Sequence, residues 1–261
     1  MSVLDRLKPE PGLRVLVTGG AAGIGATIAQ AFSDAGARVY VCDISPEAVA
    51  AISADGRILA AVADVSRKAD ADRVVDAAAE AFGGLDVLVN NAGIAGPTGR
   101  IEEMDPDAWE QTIVTNLNSQ FYFLRRAIPV LRRSAAPSII AMSSAAGRLG
   151  YPFRTPYAAT KWAIIGLVQS LAMELGPDNV RVNAILPGPV EGPRMTRVIE
   201  ARAEATGVDF ETTKTAYLSS ISLRRMVTQE DIAATALFLS SPAARNISGQ
   251  AISVDGNVEH L

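Results

Sequence analysis

Short apolar runs alternate with longer amphipathic segments along this 261-residue chain. That alternation limits the possible folds more than any other feature. Leu13 to Thr18, Arg38 to Asp43, Arg57 to Val62, Asp86 to Asn90, Ser138 to Met142, Val180 to Leu186 and Gln250 to Val254 read as buried strands. Between them lie segments with helical periodicity. Gly23 to Gly36 carries Ile24, Ile28, Ala31 and Phe32 along one side. Pro46 to Ile52 is a short helix, and Ser66 to Phe82 is a long one that Ser66 is expected to cap. Pro106 to about Leu131 reads as helical, with a break expected near Pro129. Pro193 to Ser220 is a less regular helical stretch, and Thr228 caps a helix running to Leu239. Strands separated by helices cannot pair as hairpins. They form a parallel sheet with helices on both faces, an α/β doubly wound fold of seven strands. No Ser-, Gly- or Pro-rich linker interrupts the series, so residues 1–261 read as one domain.

The first strand runs straight into Thr18-Gly-Gly-Ala-Ala-Gly-Ile-Gly25. Glycines 19, 23 and 25 stand between a strand and a helix. There they permit a tight turn and let backbone N–H groups approach a pyrophosphate at the helix N-terminus. The spacing differs from the G-x-G-x-x-G fingerprint, so position carries more weight here than pattern. Asp43 closes the second strand, about 20 residues on, where an acid accepts hydrogen bonds from the adenine-side ribose. A 2′-phosphate would face its charge, and the neighbouring positions are Ala22 and Ile44 rather than basic residues. The expected cofactor is NAD rather than NADP. Asp64-Val65 follows the third strand, either to contact adenine or simply to end the strand.

Several chemistries are excluded. The only histidine is His260, so a general base must be another residue type. One cysteine, Cys42, rules out an internal disulfide and a thiolate metal cluster. A net charge of −4 argues against nucleic-acid binding. No apolar run approaches the roughly 20 residues that span a membrane. Met1 to Gly12 lacks an apolar signal core, so the expected location is cytoplasmic.

Tyr157-Ala-Ala-Thr-Lys161 supplies a base. Thr155 is expected to cap this helix and Pro156 to sit at its first position. Trp162, Ile165, Val168, Leu171, Ala172 and Leu175 give the apolar period, and Gly176-Pro177 ends it. Tyr157 and Lys161, four residues apart, then share one helix face. The first-turn position and the lysine charge both favour the phenolate of a side chain that otherwise titrates near about 10.

In order, Thr18 to Gly25, Asp64-Val65, Asn90-Asn-Ala-Gly93, Asn116, Ser143-Ser144, Tyr157 to Lys161 and Pro187-Gly188 resemble the motifs of the short-chain dehydrogenase/reductase family across nearly the whole chain. The resemblance implies a single Rossmann-type domain that transfers hydride between a secondary alcohol and a nicotinamide. It implies that Gly19, Gly23, Ile24 and Gly25 hold the pyrophosphate, and that Asp64 and Val65 lie near adenine. Asn91, Ala92 and Gly93 would close the adenine side. Pro187, Gly188 and Val190 would line the nicotinamide end, where the Val190 backbone bonds the carboxamide. Ser144, with Ser143 as the neighbouring candidate, would donate to the substrate oxygen. Tyr157 would take the hydroxyl proton. Lys161 would bond the nicotinamide ribose and lower the tyrosine pKa, and Asn116 would bind a water linking Lys161 to solvent. No metal is needed.

Two positions depart from the family pattern. Gly192 stands where a threonine is frequent, so the loop is expected to be held by Arg194 or Thr196. Asn257 stands where a second glycine is usual. The substrate walls are expected from Ile94 to Arg100, Ala145 to Arg154 and Glu191 to Ser220, with residues 189–220 forming a lid. Arg148 or Arg154 could pair with the carboxylate of a sugar acid or other hydroxy acid. An interface or solvated arginine is the plainer reading, and Tyr151 and Phe153 could instead make the pocket apolar. Trp109, Trp162, Arg125-Arg126 and Arg132-Arg133 read as core, interface or surface residues. The resemblance also implies a homotetramer built on the two long helices. Two other functions remain open, an NADPH-linked ketoreductase of 3-oxoacyl substrates and a non-catalytic dinucleotide sensor.

Overall fold

A computed structural model describes residues 2–261. After a short capped turn, α1 (Val3–Arg6), the chain enters β1 (Arg14–Thr18), α2 (Gly23–Asp34), β2 (Arg38–Asp43), α3 (Pro46–Ile52) and β3 (Ile58–Val62). It continues through α4 (Lys68–Phe82), β4 (Val87–Asn90), α5 (Pro106–Ile113), α6 (Ser119–Leu131) and β5 (Ser138–Met142). Then come α7 (Thr155–Leu175), β6 (Arg181–Pro187), α8 (Pro193–Thr206), α9 (Phe210–Ser219), α10 (Gln229–Ser240) and β7 (Ala251–Val254). The seven strands form one parallel sheet in the order β3-β2-β1-β4-β5-β6-β7. The order reverses direction between β1 and β4, which opens a crevice at the carboxyl ends of those strands.

Both sheet faces are buried, because residues along each strand alternate between two cores. Leu16, Tyr40, Cys42 and Leu88 join the core under α4, α6 and α7. Val15, Val17, Val39, Val41, Val87 and Val89 join the core under α2 and α10. A one-residue slip of any strand would exchange the two sets, so hydrophobic packing fixes the register. Asp86 pins the amino ends of β1 and β4, opposite the crevice. Its carboxylate accepts from the Arg14 N–H and guanidinium and from Ser134 Oγ. Burial would raise this carboxyl, but these donors hold it below its ordinary value.

Three expected local features differ. Ser66 does not cap α4, because its Oγ donates to Asp64 Oδ1 at 2.6 Å within the Asp64–Arg67 turn and Arg67 is the residue that precedes the helix. Thr155 is not a cap either. The first helical bond of α7 runs from Ala158 N–H to Arg154 O, so Arg154 takes that place. The break in the long helix lies at Val114–Asn118, which forms a π turn, and not at Pro129, which α6 carries near its C-terminal end. The arginines of α6 are intramolecular ties: Arg125 pairs with Asp72 and Arg126 with Asp76 on α4. Trp162 is half exposed, so Ile164 and Val168 carry the buried face of α7. Among the described residues, no helix is long and apolar enough to cross a membrane and no group of side chains is arranged to hold a metal ion.

Candidate active site

The crevice is a cavity of about 610 Å³, within the usual range for small-molecule sites. One end lies under the β1–α2 turn. Gly25 there has no room for a side chain, since a Cβ would meet Gly19 O at 2.0 Å and Asn91 Nδ2 at 2.5 Å. The turn is stitched to the loop after β4. Asn91 Nδ2 donates to Thr18 O and Gly19 O, each at 3.0 Å, and Thr18 Oγ1 accepts from the N–H groups of Asn91 and Ala92. The Asn91 side chain thus shapes the turn, a task that Thr18 shares and that the sequence reading did not assign to it. Asp43 ends β2 and accepts from Ala21 N–H at 3.2 Å. Asp64 accepts from the N–H and Oγ of Ser66 and so closes its own turn. Gly19, Gly23, Ile24, Gly25, Asp43, Asp64, Val65, Asn91, Ala92, Gly93, Pro187, Gly188 and Val190 all line the cavity.

Midway along the cavity stand Ser144, Tyr157 and Lys161. Ser143 Oγ is spent on Lys161 O at 2.8 Å, whereas Ser144 Oγ accepts from Ala146 N–H at 3.2 Å and lines the cavity near Tyr157. Lys161 is buried, donates to Met142 O at 2.8 Å, and holds its Nζ 5.5 Å from the Tyr157 ring centre. Burial alone would raise the Tyr157 phenol. The charges of Lys161, Arg194 and Arg154 and the nearby Ser144 hydroxyl outweigh it and bring the phenol below its ordinary pKa. Burial likewise lowers Lys161, partly offset by the phenol.

Asn116 does not reach the cavity. It is fully buried in the π turn, with Oδ1 accepting from Ile94 N–H at 2.7 Å and Nδ2 donating to Ile94 O at 3.0 Å. Single π turns often mark functional positions in helices.

The far end is built from side chains of the loop before α7 and of the helices α8 and α9. Tyr151 and Tyr217 share a hydroxyl hydrogen bond at 2.7 Å, and the Tyr151 ring stands edge-on to Tyr157. Burial pushes the Tyr151 phenol up. Arg154 lines this end, but Arg148 does not. Arg148 is exposed and bonds Ala251 O and Ser253 Oγ on β7. Arg194 Nη1 crosses to Gly93 O at 3.0 Å and holds the loop after β6. Gly192 sits there at φ +135°, a conformation that a threonine would strain, which accounts for the departure. Asn257 adopts φ +62°, left-handed geometry that asparagine tolerates, so it can replace a glycine. Tyr217 and Arg197 also line the cavity, and no local motif marks either of them.

A family model described as enoyl-(acyl carrier protein) reductase matches residues 19–258. The D-beta-hydroxybutyrate dehydrogenase of Rhizobium meliloti (strain 1021) is 31% identical over an alignment of 249 residues that covers 92% of this chain and 96% of that protein. An NAD+-bound xylitol dehydrogenase superposes with TM-score 0.91 at 26% identity, over 94% of this chain and 98% of that one. A variant of actinorhodin polyketide ketoreductase with NADPH superposes with TM-score 0.90 at 29% identity, over 96% and 98%. With its matching fold and motif order, this chain belongs to the short-chain dehydrogenase/reductase family, oxidoreductases acting on hydroxyl and keto groups.

Proposed function

We propose that this protein is an NAD-dependent oxidoreductase interconverting a secondary alcohol and a ketone, with Tyr157 as general acid and base and a hydroxy acid as substrate. The observation that carries this reading is the convergence of Lys161, Ser144 and two arginines on one tyrosine, which brings the phenol towards a working pKa. The residues present fit a dinucleotide. Gly25 packs directly on Gly19 O and the Asn91 amide and so shapes the turn at the α2 N-terminus, where Gly19, Gly23 and Ile24 also line the cavity. Val190 pairs with Val227 through its neighbours, since Val227 N–H donates to Pro189 O and Glu191 N–H to Val227 O. Its own N–H and C=O enter no backbone hydrogen bond among the described residues, which suits a carboxamide. When bound, the nicotinamide supplies the hydride acceptor. In the oxidative direction the Tyr157 phenolate takes the carbinol proton, while Ser144 Oγ donates to the same oxygen. Lys161 would hold the nicotinamide ribose, and its charge beside the ring favours the phenolate. The Asn116 side chain is committed to Ile94, so the backbone of the π turn is what would hold a relay water.

Asp43 supports NAD over NADP. The cations flanking that end are already paired, Arg67 with Asp64 and Arg73 with Asp70. The hydroxy-acid reading draws on Arg154, Arg194 and Arg197 around the cavity and on the hydroxybutyrate dehydrogenase relative. The NADPH-bound polyketide ketoreductase favours a second reading, reduction of 3-oxoacyl substrates with NADPH. A cytoplasmic homotetramer remains our proposal for the assembly, supported by exposed Phe121 on α6 and Trp162 and Met173 on α7.

The test is a panel of secondary alcohols and ketones with NAD and with NADP. The expected result is NAD-linked turnover that falls by about 10³-fold or more in Tyr157→Phe. Tighter NADP binding, or turnover surviving in that variant, overturns the reading. Light scattering on the same preparation reports the assembly.

A further inference from the structure

We infer that Arg154 is the residue that selects the substrate, by pairing with a carboxylate carried on the same molecule as the reacting carbinol. The inference rests on the dehydrogenase reading of this cleft and names the side chain that chooses its substrate class.

Arg154 is 3% exposed, an unusual state for a cation with no partner. No carboxylate lies within ion-pairing distance of it among the described residues. By contrast Arg14, Arg57, Arg73, Arg125, Arg126 and Arg132 each pair with an aspartate. Its one hydrogen bond among those residues is from Nη2 to Ala95 O at 2.7 Å. Nε is enclosed with no partner at all. The guanidinium carbon stands 5.1 Å from the Tyr157 ring centre and 5.2 Å from that of Tyr151, so the charge lies beside the reacting position. A buried guanidinium with unused donors is costly unless an anion completes it, and its planar fork suits a carboxylate.

The chain is bent to place it there. Phe153 adopts φ +64°, which a phenylalanine rarely does, immediately before Arg154 turns inward as the cap of α7. The bend is braced from both sides. Gly99 N–H donates to Phe153 O at 2.9 Å, and Arg202 Nη1 of α8 donates to Pro152 O at 3.2 Å. Arg194 and Arg197 also line the cavity but are exposed to solvent, so neither carries a buried, unmatched charge, and Arg148 is spent on β7 outside the cavity. The carboxylate must therefore sit within a few bonds of the carbinol, as in short hydroxy acids.

The experiment pairs 2-, 3- and 4-hydroxy acids of four to six carbons with their primary amides, assayed with NAD on wild type, Arg154→Met, Arg154→Lys and the exterior control Arg148→Met. Wild type is expected to prefer one acid over its amide by about 10²-fold in kcat/KM. Arg154→Met is expected to lose that preference, the KM of the acid rising by about 10²-fold relative to that of its amide, over and above a fall in kcat common to both from removing a charge beside Tyr157. Arg154→Lys is expected to keep part of it, and Arg148→Met all of it. Equal losses on acid and amide, with a moved pH profile, would show that Arg154 acts only through Tyr157 and would overturn the assignment. A wild type without acid preference would do the same, even if Arg154→Met fails to fold. Calorimetry with malonate and NAD separates this inference from the reading beneath it. Malonate bound by wild type, more weakly by Arg154→Lys and not by Arg154→Met, with no alcohol oxidised, removes the dehydrogenase reading and keeps the anion site. Amides oxidised as well as acids, with no malonate bound, does the reverse.

Discussion

The two ends of the cleft are made of different material. The cofactor end is mostly backbone: the β1–α2 turn, the carboxyl ends of β2 and β3, and the loop after β4, locked together by Thr18 and Asn91. Its elements are neighbours in the sheet, so the strand register that buries the core also places the site. The end proposed for the substrate is mostly long side chains, Tyr151, Arg154, Arg194 and Tyr217, from a bent loop and the helices α8 and α9, the proposed lid. These helices contribute little to the two main cores under the sheet. The comparison teaches that rigidity comes with the sheet, while specificity is added by parts that pack on each other. Local opening should therefore be easier at the lid than under the glycine turn.

The strongest way to break this contrast is Gly25→Ala. A single Cβ would overlap Gly19 O and crowd the Asn91 amide, and neither can move without unlocking the stitched turn. We expect NAD affinity to fall by at least about 10²-fold and stability to drop by about 1–3 kcal/mol. Calorimetric titration and thermal melting check both. A variant that binds NAD normally would show that the cofactor end gives way as readily as the lid.

Lys161→Met probes the join between the two ends. Burial raises the Tyr157 phenol and the lysine charge is the largest opposing influence, so its removal lets the phenol rise. Oxidation needs the phenolate, so the acid limb of kcat/KM should move to higher pH. For ketone reduction, which needs the protonated phenol, the alkaline limb should also move to higher pH. The rate at neutral pH should fall by about 10²-fold or more. A limb that stays in place would mean that the arginines alone set the tyrosine.

The same division explains how far the sequence could be read. Alternating apolar runs reported the sheet because burial on both faces demands them, and the glycine turn was visible because backbone approach forbids side chains. Caps were less legible. Ser66 is a good capping residue, but the adjacent Asp64 takes its hydroxyl. The π turn at Asn116 leaves no compositional mark, whereas Pro129, which looked like the break, fits near a helix end. At the substrate end, Arg148 and Arg154 look alike in sequence. They separate only because Phe153 adopts a left-handed backbone and turns the second inward. Tyr217 meets Tyr151 across 66 residues, a pairing set by how α9 folds back, which no local pattern records.

Tyr217→Phe is the mildest change and the finest test of the contrast. It deletes one hydroxyl, leaving the ring that fills the space beside the cavity. The Tyr151 hydroxyl loses its partner, at a cost of about 0.5–1.5 kcal/mol, which corresponds to a two- to ten-fold change in binding. If the bond holds α9 against the loop that carries Arg154, that change should appear as a higher KM for the alcohol. NAD affinity and kcat should stay within about two-fold, because neither the glycine turn nor Lys161 touches the latch. Hydrogen exchange should quicken in α9 and not in α2. An equal loss of NAD affinity would instead mean that the lid is tied to the cofactor end, through Arg194 and its bond to Gly93 O, and that the two ends open as one.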